Sequence, residues 1–311
     1  MNPDPSRKNT LSGDLPPEVS IVIVTYHSAD VIGSCLDSIG AGGDVSREVF
    51  VVDNASADGT AKFVRTLHPS VQLIANSDNR GFSAANNQAI PLCRGRYLFF
   101  LTPDAELAGG CLETAVRYMD ENPAVGLVGT KVVYPDGSLQ ETISLRYPGE
   151  KHTTGELAGL KGSIACVLGA SMIARAELIR AIGGFDEDYF LYGEDQELCL
   201  RIRQQGYEIG YIGEAVVRHI GGHSERASAS ADRWGRKARA EYIFYRKHYR
   251  PETIKRISRE DRFKARWRTL TIPLTLPFLR DGDAARDKLV KYRTILETLD
   301  EIDRPGRQGG A

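Results

Sequence analysis

The side chains of this chain best suited to chemistry are acids and amides gathered at a few points along its 311 residues. In Phe190-Leu191-Tyr192-Gly193-Glu194-Asp195-Gln196-Glu197-Leu198-Cys199-Leu200-Arg201, three carboxylates fall within four positions, just after an aromatic, glycine-punctuated turn. The pattern puts Glu194 and Asp195 in the first turn of a helix, where the macrodipole favours negative charge. Adjacent acids there can share hydrogen-bonding capacity and keep one carboxylate ionised as a proton acceptor, the role of a general base. The same arrangement also suits simple acidic capping of a helix.

Four further constellations keep it company. Asp53 and Asn54 directly follow an apolar run. A carboxylate or amide there can bind a nucleobase imide or a ribose, or it can form an Asx turn with Ser56 or Asp58 as the next cap. The stretch from Asn76 to Asn87 carries Asn76, Asn79, Asn86 and Asn87 together with Arg80 and Gly81. Gly81 supplies backbone freedom, Arg80 suits a phosphate, and so many hydrogen-bonding groups point to ligand binding. In Leu101-Thr102-Pro103-Asp104-Ala105-Glu106-Leu107, Asp104 can act as an oxygen ligand for Mg²⁺ or Mn²⁺ bridged by a diphosphate, or as a helix N-cap. Finally, His219 and His223 flank a glycine pair, and neutral imidazole suits Mn²⁺.

The elements that must position these groups alternate. Val19 to Tyr26 is a β-branched run of the kind buried on both faces of a parallel sheet. Further strands are expected at Glu48–Val52, Val71–Ile74 and Tyr97–Leu101. Helical spacing runs through Ile32, Leu36 and Ile39, and again through Phe63, Val64 and Leu67. This order implies an α/β fold with right-handed crossovers and ligands at the carboxyl ends of the strands, where the polar motifs lie. Downstream the pattern predicts a helix over about 110–121, a strand at Val125–Val128 and a mobile loop over 144–163. A short helix at Glu177–Ile182, the acidic helix, strands at Glu208–Ile212 and Ala215–His219, and a mostly helical tail from about Ala231 complete it.

With 41% hydrophobic and 26% charged residues the chain buries a core, and a net charge of -1 excludes a polyanion binder overall. The average hides an asymmetry. Residues 225–311 hold 22 basic and 13 acidic side chains (+9), leaving 18 basic and 28 acidic (-10) before them. Such a basic region either meets an anionic surface, a membrane leaflet or lipid-linked phosphate, or is a set of solvated helices. The five cysteines form no C-x-x-C pair and read as reduced core thiols of a cytosolic protein. Residues 1–18 read as a disordered segment without a signal peptide. No apolar run can span a bilayer, although Leu270–Leu279 could rest on one. The expected organisation is 1–18 disordered, 19–224 the catalytic domain and 225–311 a mostly helical basic region, in the cytoplasm with peripheral contact at the inner membrane face.

Taken together, these segments resemble the family 2 inverting glycosyltransferases of GT-A fold, in particular bacterial rhamnosyltransferase-like enzymes of polysaccharide assembly. The resemblance is carried by Val22–Tyr26, Val51–Thr60, Asn79–Asn87, Phe100–Leu107, Gly169-Ala170, Gly183–Glu187, Tyr192–Asp195 and His219, in order from about Val19 to Ser224. It implies a Rossmann-like, mostly parallel central sheet flanked by helices. It implies that Thr25, Tyr26, Asp53 and Asn54 hold base and ribose, with Asn79, Arg80, Gly81, Asn86, Thr102 and Pro103 on the donor side. Asp104 and His219 would bind a divalent metal (Mn²⁺ or Mg²⁺), and Gly169, Ala170 and Tyr192 would face the acceptor. Asp195, beside Glu194, would be the general base. One departure is that the family's first acid is absent and Thr102 stands where the subgroup often has asparagine.

The expected activity is transfer of a sugar, rhamnose first, from a dTDP- or UDP-linked donor to a saccharide or lipid-linked glycan. A non-catalytic nucleotide-sugar-binding or scaffold protein of a polysaccharide assembly complex is the competing reading, opposed by the intact Glu194-Asp195 pair. A nucleotidyltransferase would place a glycine-rich basic loop after the first strand, where this chain has Thr25-Tyr26-His27-Ser28.

Overall fold

The computed structural model describes residues 15–40, 43–221, 229–275 and 282–303. The chain runs β1 (Val19–Thr25), α1 (Ile32–Gly40), β2 (Arg47–Asp53), α2 (Thr60–Leu67), β3 (Gln72–Ala75), α3 (Gly81–Ala89), β4 (Tyr97–Leu101) and β5 (Ala105–Leu107). It continues through α4 (Cys111–Glu121), β6 (Val125–Val133), β7 (Ile143–Ser144), β8 (Cys166–Val167), β9 (Ser171–Arg175), α5 (Ala176–Ala181), α6 (Glu194–Gln204) and β10 (Glu208–His219). Three helices follow: α7 (Ser230–His248), α8 (Pro251–Thr275) and α9 (Gly282–Ile302).

Every residue of β1 and of β4 is buried, which is why both read as unbroken apolar runs. They pair in parallel at the centre of an eight-stranded sheet ordered β3-β2-β1-β4-β9-β6-β10-β5. Parallel ladders join β3, β2, β1 and β4 on one side and β6 to β10 on the other. Between them β9 runs antiparallel to both neighbours, and β5 closes the far edge antiparallel to β10. The sheet is the mixed α/β architecture that the alternation implied.

Two apolar layers cover it. One contains Ile32, Leu36 and Ile39 of α1 with Leu112, Ala115 and Met119 of α4. The other contains Ala85 and Ala89 of α3 with Leu198, Cys199 and Ile202 of α6. The five cysteines are all free and buried, Cys35 and Cys111 in the first layer and Cys93, Cys166 and Cys199 in the second.

Three expectations change. The strands foreseen at 208–212 and 215–219 are a single strand, β10, with a register shift between Ile212 and Val216. The loop over 144–163 is pinned, not loose. Tyr147 is buried, Tyr249 Oη donates to Pro148 O at 2.6 Å, and Arg203 donates to Lys161 O and Gly162 O, both at 2.9 Å. Such tertiary bonds leave no periodic trace in sequence. Within the segment read as disordered, Glu18 already joins the body, its amide donating to Ser46 O at 2.9 Å. Residues 1–14, His223 with its neighbours Gly222 and Ser224, and Leu276–Leu279 lie outside the described residues.

The C-terminal helices are not an appendage. Phe244, Tyr245 and Tyr249 pack with Tyr147, Tyr189 and Leu200 in a third apolar cluster that joins α7 to the body. No helix among the described residues is long and apolar enough to cross a membrane.

Candidate active site

A cleft of about 710 Å³ opens where β4 ends, bounded by the start of β9, the first turn of α6, the end of β10 and one face of α7. As the chain leaves β4, the Thr102 amide donates to Ala170 O at 3.1 Å, which seats Thr102 and Pro103 beside the turn that opens β9. Asp104 follows. The antiparallel register of β5 on β10 sets Ala105 opposite His219, and so brings two residues far apart in sequence together. His219 Nε2 lies 3.2 Å from Asp104 Oδ1, and both side chains are almost wholly buried.

Gln140 settles the orientation of the imidazole. Its Nε2 donates to His219 O at 2.7 Å, which fixes the amide, and its Oε1 then stands 3.0 Å from His219 Nδ1. Nδ1 must therefore carry a hydrogen, and Nε2 faces a carboxylate oxygen. A lone pair aimed at a carboxylate is stable only with a proton or a metal cation between them. One imidazole and one carboxylate are a donor set that suits Mn²⁺, with diphosphate oxygens to fill the remaining positions. Among the described residues no cluster of three or more His, Cys, Asp or Glu exists, and Asp104 and His219 are the pair that meets here. Burial opposes ionisation of Asp104, but bonds from His219 and Thr102 outweigh it and hold its carboxyl below the ordinary value.

Across the cleft, Tyr192 and Gly193 both take left-handed backbone conformations, φ 75° and 83°, and turn the chain sharply into α6. Asp195 Oδ2 accepts from the Gly169 amide at 3.1 Å and Oδ1 from the Gln196 amide at 2.8 Å. Burial pushes the Asp195 carboxyl up, opposed by these backbone donors. Glu194 is pushed up to about 8 by burial and then by the charge of Asp195. Its Oε2 is buried with no hydrogen-bond partner. The backbone donors favour the charged form of Asp195, whereas burial and the neighbouring acid favour the proton on Glu194.

The cleft gathers Asp104, His219, Glu194 and Asp195, along with Thr102, Pro103, Gly169, Ala170 and Tyr192. Eight other residues assigned to donor binding do not line it. Thr25 and Asp53 face each other across β1 and β2, Thr25 Oγ1 donating to Asp53 Oδ1 at 2.8 Å, while Asp53 Oδ2 accepts from the Ser56 amide. Tyr26 is 41% exposed and Arg80 is exposed.

Much of the amide-rich segment bonds the protein itself. Asn54 is buried, donates to Gly81 O and accepts from Asn76, and Asn86 is buried and donates to Phe82 O. Asn79 Oδ1 accepts from the Gly81 amide. Gly81 has φ 82°, and a Cβ there would stand 2.7 Å from Phe190 O, which instead accepts from the Phe82 amide at 2.7 Å. Asn87 bonds both the carbonyl and the amide of Phe185. The segment anchors residues 185–190, the run that leads to Glu194 and Asp195. Its hydrogen-bonding groups serve the protein before any ligand.

Sequence reasoning missed Gln140 and the wall formed by α7. Lys237, Ala240 and Glu241 line the cleft, with Lys237 Nζ 4.6 Å from the centroid of the Tyr192 ring. Nothing in the composition of a basic helix singles these out.

The sequence profile described as glycosyl transferase family 2 matches residues 20–183, more than half of the chain. The protein belongs to that family. Among the relatives of this family 2 glycosyltransferase, an uncharacterised Sinorhizobium fredii protein, y4gI, is 27% identical over 81% of the chain but only 28% of its own length. An N-acetylglucosaminyl-diphospho-decaprenol L-rhamnosyltransferase of Mycobacterium tuberculosis is 24% identical, covering 66% of this chain and 76% of its own. The O-antigen biosynthesis protein RfbC of Myxococcus xanthus is 27% identical over 70% of this chain and 18% of its own. The match thus spans well under a third of the first and the last of these relatives.

Solved structures agree on the fold. The mannosyltransferase PcManGT of Pyrobaculum calidifontis, crystallised with GDP-Man and Mn²⁺, superposes with TM-score 0.60 at 19% identity, covering 92% of this chain and 87% of its own. Staphylococcus aureus TarS 1-349, with UDP-GlcNAc, gives 0.54 at 19% identity over 91% and 80%. The fold is the GT-A arrangement of a central sheet flanked by helices.

Proposed function

We infer that the protein transfers a sugar, rhamnose as first choice, from a nucleoside-diphosphate donor to a saccharide or lipid-linked glycan acceptor, with inversion, in cell-surface polysaccharide synthesis. The observation that carries this reading is that one cleft is lined both by Asp195, held by two backbone amides, and by the Asp104–His219 pair. The rhamnosyltransferase of M. tuberculosis and the O-antigen protein of M. xanthus support the choice of sugar and pathway class.

Asp195, held by two backbone amides, accepts the proton of the acceptor hydroxyl as that oxygen attacks the anomeric carbon. The bond from that carbon to the diphosphate breaks, its electron pair leaving on the phosphate oxygen, and a single in-line displacement inverts the centre. Asp104 and His219 would hold Mn²⁺ or Mg²⁺, which when bound neutralises charge on the diphosphate. Tyr26, Asp53 and Arg80, at the ends of β1 and β2 and the start of α3, would receive the base, ribose and phosphates of a donor reaching beyond the cleft. Gly169, Ala170 and Tyr192 stand on the acceptor side. The enzyme would act at the cytoplasmic face of the membrane.

The test is Asp195→Asn. General-base assistance contributes about two to four orders of magnitude, and transfer should fall by that much. Calorimetric binding of the dTDP- or UDP-sugar in the presence of Mn²⁺ should be retained. Unchanged turnover would remove Asp195 from the mechanism.

A further inference from the structure

Helix α8 buries Thr253, Ile257, Ala265 and Ile272 against the protein and turns a different kind of surface outward. Phe263, Trp267, Leu270 and Leu274 are 73%, 58%, 70% and 74% exposed, and their i, i+4, i+7, i+11 spacing stacks them in one stripe opposite the buried face. Large aromatic and leucine side chains in a row are costly to leave in water, unlike scattered ones.

The rim of the stripe is basic. Arg259 and Arg266 stand beside it at helical spacing, both are exposed, and neither has an ion pair among the described residues. The acids of this part of α8 are engaged elsewhere. Glu260 is held by Lys151 and His152, Asp261 accepts from Tyr242, and from Arg262 to Thr275 the helix has no acid at all. A second copy of the chain laid on the stripe would bring these cations against their own counterparts. An apolar stripe with interfacial aromatics and an unopposed cationic rim complements an anionic bilayer surface.

We propose that the outward face of α8 docks this protein on anionic membrane, with Phe263, Trp267, Leu270 and Leu274 in the headgroup–acyl boundary and Arg259 and Arg266 on lipid phosphates. The placement has a consequence for the cleft, which rests on the functional reading above. The inward face of α8 contributes Asp261 and Lys264 to a chamber of about 240 Å³ shared with Lys237 and Glu241 of α7, and those two residues also line the catalytic cleft. Docking through α8 would thus hold a helix that adjoins a wall of the cleft against the membrane surface.

The test is co-sedimentation of the full chain with phosphatidylcholine vesicles, with and without a third of phosphatidylglycerol, alongside donor hydrolysis in free solution. Sedimentation should require the anionic lipid and be reversed by salt. Trp267→Glu with Leu270→Glu should weaken it at least about tenfold and leave hydrolysis unchanged. Failure of the full chain to sediment, or equal sedimentation of the double variant, overturns the proposal. So does a concentration-dependent dimer that the double variant abolishes, since the stripe would then be a protein interface. Vesicle binding by a chain with no transferase activity upholds the docking face and counts against the catalytic reading alone.

Discussion

Glu194 and Asp195 are neighbours in unlike surroundings, and the difference lies in what touches each. Two backbone amides reach Asp195, whereas a Glu194 oxygen is buried without a partner. The folded value of Glu194, about 8, lies above its ordinary 4.5. Its contribution to stability is therefore complete below the lower value and is lost as pH rises through the higher one. Glu194→Gln keeps the uncharged form, so its melting temperature should match wild type at about pH 5 and exceed it by several degrees at about pH 8 to 9. A constant difference at both pH values would place the proton elsewhere. The second residue to probe is Gln140, the brace on His219. Gln140→Leu should weaken Mn²⁺ binding in the presence of donor about 10–100-fold, read by titration calorimetry. An unaltered affinity would mean that the imidazole needs no brace.

Elements bring these residues together, and here the sequence was legible in part. Apolar runs marked β1, β2 and β4, and polar motifs at their ends marked the region of the cleft, because buried strands and strand-end loops differ sharply in composition. The acid pair at the start of α6 was legible for the same reason, since its turn chemistry is local. The tertiary bonds of Asn87 were not, because an amide bonded to Phe185 across the fold leaves no periodic trace in sequence. Gln140 and Lys237 were invisible, each defined only by a contact distant in sequence. The entry to α6 gives the element-scale prediction. At Gly193 a Cβ would stand 3.2 Å from the Tyr189 ring and 3.3 Å from Ala240, at φ 83°. Gly193→Ala should cost about 1–3 kcal/mol by denaturant titration and reduce turnover more than donor affinity. Loss of donor affinity with full turnover at saturation would contradict the acceptor-side placement of this turn.

At the scale of the molecule, the basic helices complete the catalytic body. Their aromatic side chains close the third apolar cluster, and α7 supplies one wall of the cleft. Phe244 is 1% exposed within that cluster, so Phe244→Ala should destabilise the whole protein by about 3–5 kcal/mol in a single transition. A separate early transition confined to the C-terminal helices would mean that they fold independently. The charge asymmetry noted from sequence thus lies within one packed body, since α7 both carries basic residues and lines the cleft. The buried thiols offer this body an internal chronometer. Burial pushes Cys93, Cys111 and Cys166 up to about 12 and Cys35 and Cys199 upward too, so none offers a thiolate to an alkylating reagent while the fold is closed. Because two thiols lie on one side of the sheet and three on the other, the order in which peptides acquire the alkyl mass reports which flank opens first.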